Sequence, residues 1–161
     1  MTADKALFVK MVLDKWNATI KQTDDLLKNL SDEQLFREVA PTKNRGIYLL
    51  GHLTAAHDLM FRLLDLGNAL FPDYKAIFLD KPDKVISGLP TVHELKQSWT
   101  DVNMQLGNHF KVIPSDEWFL RHTAISPDDF EKEPHRNKLN VVLTRSHHLS
   151  NHLGQLILLK N

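Results

Sequence analysis

The stretch Val9-Lys10-Met11-Val12-Leu13-Asp14-Lys15-Trp16-Asn17-Ala18-Thr19-Ile20-Lys21-Gln22-Thr23-Asp24-Asp25-Leu26-Leu27-Lys28-Asn29-Leu30 sets the fold class. Val9, Val12, Leu13, Trp16, Ile20, Thr23, Leu27 and Leu30 recur at spacings of three and four, the period of one helix face. Asp14, Lys15, Lys21 and Asp25 mostly fall off that stripe. A helix carrying such a stripe has to pack it on partner helices, and the rest of the chain supplies them. No run of strict alternation marks a strand, so the sequence reads as all-α.

Working outward, Ser31-Asp32-Glu33-Gln34 has the spacing of a capping box and opens a short helical turn that ends before Pro41. A second helix is expected from about Asn44 to Leu66, with Tyr48, Leu49, Ala56, Leu59, Leu63 and Leu66 on one face and Gly67-Asn68 at its end. Phe71 to Pro90, with three prolines and Gly88, reads as a long crossover loop. Thr91-Val92-His93-Glu94 is another capping box and starts a third helix with Val92, Leu95, Trp99, Leu106 and Phe110 as its stripe; Pro114 closes it. A polar stretch follows, with a short turn at Ser115-Asp116-Glu117-Trp118, and a fourth helix is expected from about Asn137 to Lys160. Four helices and one long central connection predict a single-domain four-helix bundle spanning residues 1–161.

Composition narrows the function. Twenty Lys plus Arg balance twenty Asp plus Glu, so no global positive field attracts nucleic acid or anionic lipid. No apolar run reaches the roughly 18 residues of a membrane span, and the N-terminus has no apolar signal-peptide core; the expectation is a cytoplasmic protein. The chain has no cysteine, which removes disulfides, thiolate metal sites, iron–sulfur clusters and a Cys nucleophile, and leaves nitrogen and oxygen ligands for any metal.

Nine histidines are present, and a helical wheel sorts them. His148 and His152 are four apart on the fourth helix, which places their Cβ atoms about 5–6 Å apart, close enough to share one transition-metal ion. His147 points away from both. On the second helix His52 lies within the apolar stripe and faces the core, while His57 projects to the opposite side. An inward His52 with the inward pair would make a three-histidine site with one open position, the layout of a catalytic metal. Gln155 shares the ligand face and could orient a ligand from behind. The ordinary reading of an i, i+4 pair is two polar or core histidines, and that of an inward histidine is a hydrogen bond to a carbonyl. His93, His109, His122 and His135 lie near helix ends or in connections and are expected in solvent. Trp16 and Trp99 belong to the stripes and read as core; Trp118 sits in an irregular segment where it could line a pocket. Arg145, one turn before His148, could contact an anionic substrate, although an exposed arginine at the bundle rim is the commoner case.

Two segments, Asn44-Arg45-Gly46-Ile47-Tyr48-Leu49-Leu50-Gly51-His52-Leu53 and His148-Leu149-Ser150-Asn151-His152-Leu153-Gly154-Gln155-Leu156, resemble the two signature regions of the DinB-like superfamily. The H-x-x-x-H-x-G-Q element is the more specific part. This resemblance implies a four-helix bundle of up-down-down-up topology, often a homodimer, with a divalent metal held by His52, His148 and His152. It also implies zinc or nickel as the metal. The known activities it points to are S-transferases and isomerases that use bacillithiol, mycothiol or glutathione, in which the metal stabilises the thiolate.

The favoured function is therefore a metal-dependent transferase acting on a small-molecule substrate with a low-molecular-weight thiol. A metal-dependent hydrolase is the nearest variant, although the inward faces offer no evident base. A different class of reading is a non-catalytic dimeric bundle. It is motivated by a second apolar strip on the fourth helix, Val142, Leu149, Leu153 and Ile157, that self-association could bury.

Overall fold

The computed structural model of the protein describes residues 2–85 and 87–160. Among these every regular element is helical, with no strand. Helix α1 (Thr2–Asn29) buries Val9, Val12, Trp16, Leu26 and Leu27, and Leu30 just beyond its end is buried as well, largely the stripe read from the sequence. The Ser31 capping box then forms as expected: Ser31 Oγ accepts from the Gln34 N–H at 3.2 Å and Gln34 Oε1 accepts from the Ser31 N–H at 2.9 Å. It opens α2 (Asp32–Phe36).

The expected second helix is divided. Helix α3 (Gly46–Asp58) starts two residues later than predicted, Leu59 forms a one-residue break, and α4 (Met60–Leu63) ends before Asp65 turns left-handed (φ 61) ahead of Gly67 (φ 129). Every residue of α3 except His52 is buried. A helix apolar on all sides is a central one, and α3 packs against α6 (Val92–Phe110) on one flank and α8 (Lys138–Leu156) on another. Helix α1 packs on both α8 and α6 and so closes a ring of four long helices. Asp58, itself buried at the end of α3, holds the start of the crossover by accepting the N–H groups of Leu70 and Phe71 at 2.8 and 2.9 Å.

The crossover is not a plain loop. It contains α5 (Tyr74–Phe78), which lies on α3 and fills the hollow over Gly51 with the Phe78 ring. A Cβ at Gly51 would stand 2.3 Å from that ring. Gly51→Ala is therefore expected to destabilise the protein by about 1–3 kcal/mol, as overpacking does elsewhere, read from the urea midpoint. A Gly107→Ala control, with open space around its Cβ position, should not.

After α6, capped by Thr91 and Glu94 as the spacing predicts, the polar stretch holds a 3₁₀ turn at Glu117–Phe119 and α7 (Pro127–Lys132). Trp118 lines no surface pocket. It is fully buried and meets Phe110 edge-on at 5.2 Å, because the 3₁₀ turn folds it under the bundle. Helix α8 is capped by Asn137 and its last turn, Ile157–Lys160, tightens to 3₁₀. The second apolar strip of that helix belongs to the protein's own core: Val142, Leu149 and Leu153 are buried, and only Ile157 is exposed. Of the strip, Ile157 alone remains as surface.

Candidate metal centre

Helix α3 brings His52, and α8 brings His148 and His152, to one place where three imidazole nitrogens lie within 4.8 Å of one another. His148 Nε2 is central, 2.9 Å from His52 Nε2 and 3.1 Å from His152 Nε2. The outer nitrogens of its two neighbours are already committed. His52 Nδ1 donates to the Phe78 carbonyl at 2.9 Å, and His152 Nδ1 donates to Gln155 Oε1 at 2.7 Å. A neutral imidazole has one proton, so both of these rings present a bare Nε2 lone pair to His148.

His148 cannot satisfy them. With its proton on Nε2 it can serve one neighbour at a time. With the proton on Nδ1, three lone pairs face each other, and Nδ1 itself is buried without a partner. A cation at the meeting point resolves this conflict, and three histidine nitrogens on one tetrahedral zinc at about 2.0–2.1 Å lie roughly 3.3 Å apart, close to the two separations measured from His148 Nε2. The donor set therefore fits a divalent transition metal.

Electrostatics agree with that assignment. Burial, reinforced by His152, His52 and Arg145, brings the His148 pKa down to about 4. Burial also lowers that of His52 against the opposing pull of the Phe78 carbonyl. Neutral imidazole is the form that ligates metal. All three ligand side chains remain partly exposed, so the cluster is reachable from solvent.

Supporting groups come from the crossover. Tyr48 stacks near His52, 6.2 Å between centroids at 19°, and its hydroxyl lies 2.7 Å from the Lys81 carbonyl and 3.2 Å from that of Phe78. Asp83 accepts from the Arg45 backbone N–H at 2.8 Å and pairs with its guanidinium at 2.7 Å. These contacts pin the crossover to the first turns of α3. In the sequence Tyr48 reads only as a member of an apolar stripe, and the Phe78 carbonyl, a main-chain acceptor, carries no residue signature.

The other histidines separate as follows. His147 is exposed, in keeping with its position on the wheel. His57 does lie away from the cluster, yet it is wholly buried between Trp16 and Trp99, at 4.7 and 5.0 Å, with Nδ1 donating to Asn103 Oδ1 at 2.8 Å. His93 and His135 are exposed; His109, edge-on to Phe61, and His122 are half-buried. Arg145 is half-buried as well, not an exposed rim residue.

Gln155 is the side chain that fixes the His152 tautomer. Gln155→Ala is expected to weaken metal binding by about 10–100-fold, the usual cost of losing a ligand's orienting partner, measured by competition with a chromophoric chelator.

Fold and site together define an all-helical protein with a three-histidine cluster, shared by two helices, that could hold a metal ion. The chain matches the family model described as the DinB superfamily over residues 15–156. It belongs to that superfamily, whose members are generally metal-dependent. No curated protein matches the chain.

Proposed function

We propose that the protein is a divalent-metal-dependent enzyme, with His52, His148 and His152 as its ligands, and that it transfers a group to or from a low-molecular-weight thiol. One observation carries the metal half: three Nε2 atoms converge while the outer nitrogens of two rings are held by carbonyl oxygens. Nitrogen-only ligation suits zinc or nickel. The four-helix ring and the long crossover between α4 and α6 support the up-down-down-up bundle as the frame of this site.

When bound, the ion supplies Lewis acidity that lowers the pKa of a thiol and keeps it as a nucleophilic thiolate. The chain's own residues prepare for it. The Phe78 carbonyl and Gln155 hold two rings with Nε2 inward, and the packing of buried α3 on α8 keeps them at fixed separation. The partial exposure of all three rings leaves an approach for a small molecule. Because the chain has no cysteine, any thiol in the reaction comes from outside it.

Elemental analysis of the purified protein, expected to show about one zinc or nickel per chain, tests the metal half. For the thiol half, the cobalt(II)-loaded protein should develop a thiolate-to-metal charge-transfer band in the near ultraviolet with bacillithiol, mycothiol or glutathione. Bound cobalt with no band from any of the three would refute the transferase while leaving the metal site standing.

A further inference from the structure

Three of the chain's arginines are half-buried, and two of them have carboxylate partners: Arg45 pairs with Asp83, and Arg136 with Glu133. Arg145 has none. Its Nε is buried without any hydrogen-bond partner, and no ion pair is formed by its guanidinium among the described residues. Burial lowers its pKa from an ordinary value so high that the group stays charged near neutrality, and no carboxylate acts against that shift. A buried charge without a counter-ion is costly, and proteins keep few of them.

Its place in the fold gives that cost a purpose. Arg145 stands one turn before His148 on α8, where residues three apart are surface neighbours. Its charge depresses the pKa of both His52 and His148, so the guanidinium lies within electrostatic reach of the cluster. Three neutral imidazoles bring no negative charge. A divalent ion among them, with Arg145 alongside, would leave the site with three positive charges before any substrate enters. A single thiolate offsets only one of these, so the electrostatics call for a second anionic group on the incoming molecule. The planar guanidinium fork matches a carboxylate or a phosphate, and its bonds to such oxyanions are charge-assisted.

We propose that Arg145 anchors an oxyanion of the substrate, a carboxylate or phosphate, beside the three-histidine cluster. This deepens the metal-enzyme reading and takes from it only the position of the reacting centre; the anchor itself rests on Arg145.

A test that does not depend on metal uses the Arg145 Nε–H signal in the nitrogen-15 NMR spectrum of the whole protein, which burial protects from exchange and Arg145→Gln identifies by its loss. Metal-free protein is titrated with acetate, inorganic phosphate and neutral acetamide at constant ionic strength in chloride. Acetate or phosphate should shift this signal saturably and bind at least about tenfold more tightly than acetamide. Whichever anion binds more tightly identifies the oxyanion. No saturable shift with either anion, or an equal response to acetamide, overturns the proposal. His57 Nε2 and His148 Nδ1 are the other buried nitrogens without a partner that lie within electrostatic reach of Arg145. A signal deaf to anions and moved only by His57→Gln would assign Arg145 to His57 and also overturn it.

Zinc titration separates this inference from the one beneath it. Arg145→Gln should bind zinc as wild type does; a loss as large as that of His148→Ala would make Arg145 a support of the metal centre instead. If wild type takes up no zinc, the metal reading fails by itself, and the acetate titration still decides the anchor.

Discussion

His148→Ala is expected to lower zinc or nickel affinity by more than about 100-fold, beyond the range seen when only an orienting partner of a ligand is removed. His148 Nε2 is the atom that both other ligand nitrogens approach, at 2.9 and 3.1 Å, so its loss leaves two donors with nothing between them. His147→Ala, one residue away on the exposed side of α8, should bind metal as wild type does. His148→Ala should also leave the metal-free fold intact or stabilise it slightly. It removes a buried unpartnered Nδ1 and the crowding of three lone pairs, the kind of local conflict that proteins keep at functional sites. Chelator competition and thermal melts of the metal-free proteins check both halves. Metal affinity within twofold of wild type in His148→Ala would remove the three-histidine centre from consideration.

The metal-free protein should also lose stability steadily as pH falls from about 6.5 toward 3. Burial holds the pKa of His57 down to about 3, against 6.5 for an ordinary histidine. Between these values the unfolded chain binds a proton at this position that the folded protein refuses. Stability is thus fully present above 6.5 and drains away on acidification, at about 1.4 kcal/mol per pH unit for one such group. The depressed pKa of His148 adds in the same direction until metal occupies its nitrogen. His57→Gln isolates the larger contribution, because glutamine can still donate to Asn103 Oδ1 and does not titrate. Urea midpoints measured between pH 7 and 4.5 should fall less steeply in that variant, by about one proton's worth. Parallel slopes for the two proteins would show that His57 is not the acid-sensitive group.

Much of this was legible in the sequence for identifiable reasons. Periodicity reported α1, α6 and α8 because each is apolar on one side only, and the capping boxes at Ser31 and Thr91 announced their own hydrogen bonds. The pairing of His148 with His152 follows from one helical turn, as does the reach of Gln155. Periodicity was weaker for α3. A helix buried on nearly every side has no polar face to orient a wheel, so His52 was placed by its neighbours while the burial of His57 went unnoticed. Short elements in the connections, α5 and α7, have too few residues to show a period, and proline-rich surroundings masked them. Trp118 was misjudged for the same reason, since a three-residue 3₁₀ turn has no sequence signature of burial.

The hydrogen bond from His52 Nδ1 ends on a main-chain oxygen, that of Phe78. No substitution at position 78 can delete that acceptor, so the tautomer of one proposed ligand is sheltered from mutation in a way that the tautomer of His152, which depends on the side chain of Gln155, is not. Drift at the two positions should therefore differ in kind. At position 78 the chain is answerable only for shape, through the ring that fills the space over Gly51, whereas at position 155 it is answerable for chemistry. Anyone redesigning the crossover could thus rewrite most of its side chains and keep His52 aligned, provided the path of the backbone past α3 is preserved.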